Sequence, residues 1–379
     1  MSDIHFIPAG DQLKDLISQP QCTVPMINKI LKERGVFCFS SEKLNTVPNL
    51  IMSFLSPEES YELLNSIKTK EKLDKINFRD FLMKDDVNLL HHLSGVVEQE
   101  NILKKDYLNY QISDFNDFTS LDGKSSDAIV MDFEVCRTDI LDDWYITEKF
   151  FKGSVEIKKE KNEQVNNLLM NVRLNHTSPE TKEIADIILS QIQEHMKKNN
   201  IIDATPHGGR VLFDDFENEN RVNFLYELAS KHTDYIFYYK SIDDVHFNPD
   251  PEAGFEGTTE DITNILEKDI EQFRIKGNLE NIISYKWKHL HPYIKATKIV
   301  AAFDISHEHY TGDCKIAFEF SDYGKRNPIN PELCITFINI KLKGASPSII
   351  HNVESLIMRE IEKRKTELLQ KYRKLSSDD

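Results

Sequence analysis

"TSLDGKSSDAIVMDFEV", residues 119–135, is where the chain changes character. Its first nine residues (119–127) collect Gly, Ser, Thr and Asp, the composition of a turn or linker. The next eight (128–135) form a short apolar run of strand type. Upstream, helical spacing of apolar residues covers 24–34, 47–55 and 57–67. Weaker helical patterns continue through "FRDFLMKDDVNLLHHLSGVVEQENILKKDYL" (78–108). Downstream, strands are expected at 149–160, 166–176, 234–242, 296–306, 314–320 and 332–342, with a short strand and turn at "RVLFDDF" (210–216). Helices are expected after "HTSPETKE", through "ENRVNFLYELASKH", over 259–275 and over 347–375. The first of these carries a T-x-x-E capping box at Thr177–Glu180, or alternatively a Ser178 cap with Pro179 in the first turn. The expected fold class is α+β: a helical N-terminal domain (1–120), then a mixed α/β region (128–379) with a long C-terminal helix and a candidate division near 245–260. No internal repeat stands out.

At 379 residues, 40% hydrophobic and 10% aromatic, the chain has the composition of a folded protein with room for two or three domains. No apolar run has bilayer-spanning length, and "MSDIHFIPAGDQLKDL" has neither the basic start nor the apolar core of a signal peptide. Five cysteines without close pairs fit a reducing interior, so a cytoplasmic location is expected. The net charge of −16 is uneven: residues 1–56 sum to zero, 57–148 to −11, 149–199 to +2, 200–275 to −11 and 276–379 to +4. That balance argues against coating by nucleic acid, and it leaves the ends and centre as the faces a polyanion would meet.

"TVPMINKILKERGVFCFSSEKLNTVPNLIMSFLSPEE" (23–59) reads as two helices joined by an extended loop. Thr23 is placed to cap the first helix and Gly35 to end it, while Thr46 and Pro48 are placed to start the next. Lys29, Lys32, Arg34 and Lys43 give local positive charge of the kind that holds phosphate oxygens. The pattern resembles SAP-like DNA-binding modules, with the helices within 23–56. The alternative is a docking or purely structural helical cap. A second basic run, "MREIEKRKTELLQKYRK", includes Lys363, Arg364, Lys371 and Arg373. It reads as dipole-compatible cations at a helix end, as a polyanion-facing surface, or as the flank of a helix that dimerises.

Chemistry is sparse. Glu156 and Lys158 stand as E-I-K on an expected strand, with Asp139, Asp142 and Asp143 upstream. A PD-(D/E)XK nuclease needs such acids to hold Mg²⁺ and a lysine to orient water, although "TDILDDWY" reads as a loop. On strands, His289/His291 and His307/His309 would each share a face and could chelate a transition metal, but no third anchor is fixed by spacing and the favoured reading is surface or loop histidines. His176, Thr177 and Ser178 at a helix start offer a phosphate site or simple capping. There is no C-x-x-C, no P-loop, no G-x-G-x-x-G and no G-x-S-x-G.

The run from Phe6 to Glu59 also resembles the N-terminal domain of the b-type subunit of GAPS two-gene anti-phage defence systems. "FEVCRTDILDDW", "FFKGSVEI", "LNHTSPETKE" and "RVLFDDFENENRVNFLYEL" are similar to the body of that family. The resemblance implies a bacterial defence protein whose companion subunit, from a neighbouring gene, carries a PD-(D/E)XK nuclease domain and its Mg²⁺. This chain would be the non-catalytic DNA-sensing and assembly half of a hetero-oligomer, with no cofactor of its own and no membrane. The alternatives are a metal-dependent nuclease using Glu156 and Lys158, or a pure scaffold.

Overall fold

The computed structural model describes the chain apart from residues 1–6, 8, 19–21, 39, 41, 53, 61–62, 64–72, 103–109, 122, 124, 142–144, 163–166, 204–205, 231, 233–235, 254–272, 278–287, 321–329 and 375–379. Three short helices come first: α1 (Asp11–Ser18), α2 (Val24–Glu33) and α3 (Lys43–Ile51). Leu13, Ile17, Ile27, Leu31 and Leu50 close them on one another. Thr23 is the N-cap residue of α2. Gly35, at φ +77°, ends it: the Gly35 and Val36 N–H groups turn back onto the Lys32 and Leu31 carbonyls at 3.0 and 2.8 Å. A left-handed residue after a helix permits that closure. α3 starts earlier than expected, capped at Glu42, so Thr46 lies inside it with its hydroxyl bonded to the Glu42 carbonyl at 3.2 Å.

The strands are β1 (Lys75–Met83), β2 (Tyr110–Phe115), β3 (Thr119–Ser120), β4 (Ala128–Leu141), β5 (Tyr145–Asn162), β6 (Asn167–His176), β7 (Phe237–Pro249), β8 (Phe273–Lys276), β9 (Ile294–His307), β10 (Tyr310–Phe320) and β11 (Leu333–Leu342). They make one antiparallel sheet in the order β2-β4-β5-β6-β1-β11-β10-β9-β7-β8, with β3 against β4. The other α-helices are the single turn α4 (Leu89–Leu93), then α5 (Pro179–Lys198), α6 (Asn218–Ser230) and α7 (Pro347–Tyr372). Ser178 caps α5: its hydroxyl accepts from the Thr181 N–H at 3.2 Å, and the Thr181 hydroxyl accepts from the Ser178 N–H at 2.9 Å.

A wholly helical segment 1–120 is thereby corrected. Helices hold for 11–51, but 75–83 is a strand at the middle of the sheet, and β2 and β3 follow it. β1 is covered on both faces, burying Ile76 and Phe78 on one and Phe81 and Met83 on the other. Such a strand shows no alternation, and Arg79 and Asp80 interrupt its apolar run. "RVLFDDF" is no strand either: it makes one bridge, Leu212↔Glu332, and a 3₁₀ turn at Phe213–Asp215. Of the helix expected over 57–67, residues 57–60 and 63 are helical and the rest lie outside the described residues; that expected over 259–275 lies outside them up to 272, and 273–275 belong to strand β8 instead. Strand pairing crosses both expected boundaries, through β1–β6 and β7–β9.

The order contains a repeat that the residues do not advertise. β2, β4, β5 and β6 form a meander that ends in α5; β7, β9, β10 and β11 form another that ends in α7. β6 and β11 flank β1, both antiparallel to it. α5 packs Ile184 and Ile188 with Val155, Val172, Leu174 and Phe81 on one face. α7 packs Val353, Ile357 and Ile361 with Phe78, Ile316 and Ile335 on the other. The two halves thus share strand order and direction about β1, with their terminal helices on opposite faces of the sheet.

β1 is not joined equally to both. Nine residue pairs link it to β6, from Lys75↔His176 to Met83↔Leu168, but only Lys75↔Thr336 and Ile76↔Ile335 link it to β11. Side chains complete the junction. The Asn77 amide donates to the Leu333 carbonyl at 2.7 Å. Arg79 donates to Glu332 at 3.0 and 3.1 Å and to Asp186 of α5, and Lys182 lies 2.9 Å from Asp186 and 3.6 Å from Glu332. On the opposite face Lys365 of α7, fully buried, holds Asp80 at 2.8 and 3.0 Å. Removing one member of a buried ion network leaves uncompensated charge. Arg79→Met is therefore expected to lower the unfolding free energy by about 3 kcal/mol, read by urea denaturation with the slope unchanged.

Candidate functional site

Glu156 and Lys158 lie on β5 on the face turned toward α7, beside Arg173 and Asn171 of β6, which are their direct cross-strand partners. α7 brings Glu362 to the same place. Arg173, 5% exposed, donates to Glu156 at 3.2 Å and to Glu362 at 3.3 Å, and its guanidinium carbon stands 5.6 Å from the centre of the Phe78 ring. The second Glu156 oxygen accepts from the Asn175 amide at 3.0 Å. Burial pushes the Lys158 ammonium below its ordinary range, with Arg359 and Arg173 adding to the shift and Glu362 and Glu156 opposing it. Burial also lifts the Glu362 carboxyl above the usual carboxylate range, although Arg173 and Lys365 oppose it.

Of the upstream acids, Asp139 is placed away from this pair. Asp139 sits opposite Thr147, nine residues along β4 from Val130, the residue facing Glu156. At roughly 3.3 Å per residue that is about 30 Å. Asp142 and Asp143 lie outside the described residues. Glu156 thus has both oxygens engaged by nitrogen donors, and Asp139, the one acid of the expected set among the described residues, is far along β4 from it. Among the described residues no group of three or more His, Cys, Asp or Glu is arranged to hold a metal ion. The E-I-K tripeptide is one rung of a charge ladder that fixes α7 to β6.

Neither histidine pair lies on a single strand. His289 and His291 lie in a 3₁₀ segment, Lys288–Tyr293, with His289 exposed and His291 buried. His307 ends β9 and His309 lies in the turn before β10. Neither pair shares a strand face. His176 is buried under α5. The Asn77 amide nitrogen already donates to Leu333, so its oxygen accepts, and the His176 Nε2–H donates to it at 2.8 Å. Burial, with Lys182 and Lys75 nearby, pushes the imidazole pKa down to about 3. It is a neutral core residue rather than a phosphate ligand.

The basic candidates divide. Arg34 binds Glu59 through both Nε and Nη2 and donates to the Phe54 carbonyl at 2.7 Å. Lys29 stands 3.9 Å from Glu33, and Lys43 is half-buried. On α7, Arg364 meets Glu367 at 2.8 Å and Glu227 of α6 at 3.5 Å. Lys371 meets Glu227 at 3.1 Å and Arg373 meets Asp215 at 2.8 Å. Lys32 and Lys363 are exposed and make no ion pair among the described residues. Most of the C-terminal basic run is an internal clamp, and the apolar stripe of α7 that suggested dimerisation is buried in its own core. Sequence reading missed the roles of Arg173, Glu362 and Lys365; the last two showed only as charge at helical spacing on an otherwise apolar face of α7, and Arg173 only as a charge inside the apolar run of β6.

Two outcomes follow. Arg173→Met is expected to cost about 3 kcal/mol, because two carboxylates lose their cation, while Lys158→Met stays within about 1 kcal/mol of the parent; chemical denaturation of both variants checks this. His176 binds a proton near pH 6.5 when unfolded but only near 3 when folded, so the unfolded state gains protons first as pH falls. Stability is then expected to fall between those values by up to about 1.4 kcal/mol per pH unit from this site, a slope that denaturation of His176→Gln across the same range should lack.

Comparison with protein families matches residues 11–73 to the model described as "GAPS4b protein N-terminal domain". Comparisons with curated proteins and with solved structures return no match. No helix among the described residues is long and apolar enough to cross a membrane.

Proposed function

We propose that this chain, which belongs with the GAPS4b-type subunits of anti-phage defence systems through its N-terminal domain, is the non-catalytic assembly and DNA-sensing subunit of its complex. The observation that carries the reading is the state of Glu156. Arg173 and Asn175 occupy its oxygens, so the one carboxylate–lysine pair with strand context serves packing. Catalysis then belongs to a companion subunit of PD-(D/E)XK type from a neighbouring gene, which would hold Mg²⁺ and cut DNA. This chain would contribute a rigid sheet body and a separate helical module.

DNA contact in this reading rests on cations not consumed by internal pairs, chiefly Lys32 and Lys363, and affinity should fall steeply with salt. A Lys32→Ala/Lys363→Ala double variant is expected to weaken DNA binding by the assembled complex and to flatten its log–log salt slope by about one per lost phosphate contact. The decisive assay compares the chain alone, the companion alone and the complex on linear and circular DNA. Cutting only when the companion is present, undiminished by Glu156→Gln in this chain, supports the proposal. Cutting by this chain alone, or loss of cutting in a folded Glu156→Gln complex, would sink it.

A further inference from the structure

The N-terminal module leaves several large apolar side chains exposed. The three most exposed large hydrophobic residues among those described are Met52 (89%), Phe54 (84%) and Phe37 (65%), and Val36 beside them is also exposed. They come from two loops, one after α2 and one after α3. Arg34 ties those loops together: it leaves the end of α2, grips Glu59 and donates to the Phe54 carbonyl at 2.7 Å. Glu59 in turn accepts from the Ser56 N–H at 2.6 Å, and the Asn49 amide reaches Cys38 Sγ at 3.2 Å. The loops are held in a fixed arrangement with their large side chains outward. Contiguous exposed apolar surface of this kind marks an interaction site.

Charge narrows the occupant. Residues 11–73 contain eight Lys/Arg and eight Asp/Glu, so the module is neutral and the whole −16 of the chain lies outside it. A second copy would bring another −16 against the first. Nucleic acid would need cations among the apolar side chains, yet Arg34, which links the two loops, is committed to Glu59, and Lys32 stands on α2 outside both loops. The remaining occupant is a protein with an apolar face set in basic surroundings, attracted by the acidic body and seated on the neutral patch. We infer that Val36, Phe37, Met52 and Phe54 form the docking surface for the companion subunit, which the module engages as a pre-formed apolar knob. This rests on the assembly reading above and adds the surface through which assembly occurs.

The test is co-expression of the full chain with the companion subunit and titration of the purified partners. Phe37→Ser/Phe54→Ser is expected to weaken the complex at least about tenfold, as loss of aromatic anchors does, with no change in the melting temperature of the chain alone. Phe37→Leu/Phe54→Leu should hold affinity within about threefold of the parent. If the parent binds and the Ser variant binds equally well, the surface is wrong and the assembly reading stands. If the parent does not bind the companion, both fail. If the Ser variant instead changes the mass of the isolated chain in solution, or its retention on DNA with affinity for the companion intact, the occupant is a second copy or nucleic acid and the inference is overturned.

Discussion

Everything in the body hangs on how β1 is held. A strand between two half-sheets would ordinarily hydrogen-bond along its length to both neighbours, yet β1 has nine paired residues on the β6 side and two on the β11 side. Ion pairs and close packing take over where the ladder stops. Arg79 spans to Glu332 and Asp186 on one face, and Asp80 meets Lys365 on the other. Gly209 lies so close to the Asp80 backbone that a Cβ there would sit 2.6 Å from its carbonyl oxygen, and it adopts φ +75°. A side chain at that position would open the junction. The charges are buried, so their solvation cost is met only while every partner stays in place. That makes the junction specific rather than strong.

The same junction shows where much of the buried charge of the body is used. α5 and α7 lie on opposite faces and each must be fixed to a sheet that twists beneath it. Lys182 and Asp186 do this for α5, and Glu362 and Lys365 for α7. Arg364, Lys371 and Arg373 then bind α7 to α6 and to the turn at Asp215. Glu156 and Glu362 both spend oxygens on the buried Arg173 guanidinium. The body is built to hold shape, and the neutral, apolar-tipped N-terminal module is the part that has surface to spare.

Most of the strands were legible because their apolar runs are long and bounded by turn residues: "AIVMDFEV", "ATKIVAAFDIS" and "LCITFINIKL" sit inside β4, β9 and β11 respectively. Helices α2, α5 and α7 were legible from caps and periodicity. β1 was not, because a strand buried on both faces loses its alternation and because Arg79 and Asp80 look like surface residues until their partners, more than a hundred residues away, are in place. The repeat was hidden for a related reason: the two meanders share order and pairing, which are properties of the sheet rather than of local spacing. Of the candidate site, Glu156 and Lys158 were visible as a tripeptide, but Arg173 and Glu362, which decide their meaning, lie on other elements. The resemblance of the N-terminal segment to the b-type defence subunits was readable from the residues and agrees with the family match over 11–73.

The central claim is that β1 is the internal strand joining two halves of one body. Amide hydrogen exchange over residues 75–83 tests it most directly, because protection reports the free energy of the opening that exposes each N–H. The account predicts protection on β1 matching that of β6 and among the highest in the chain, well above that of the N-terminal helices. Exchange on β1 as fast as in an exposed helix or linker would contradict it, and with it the description of the body as a duplicated sheet closed around one strand.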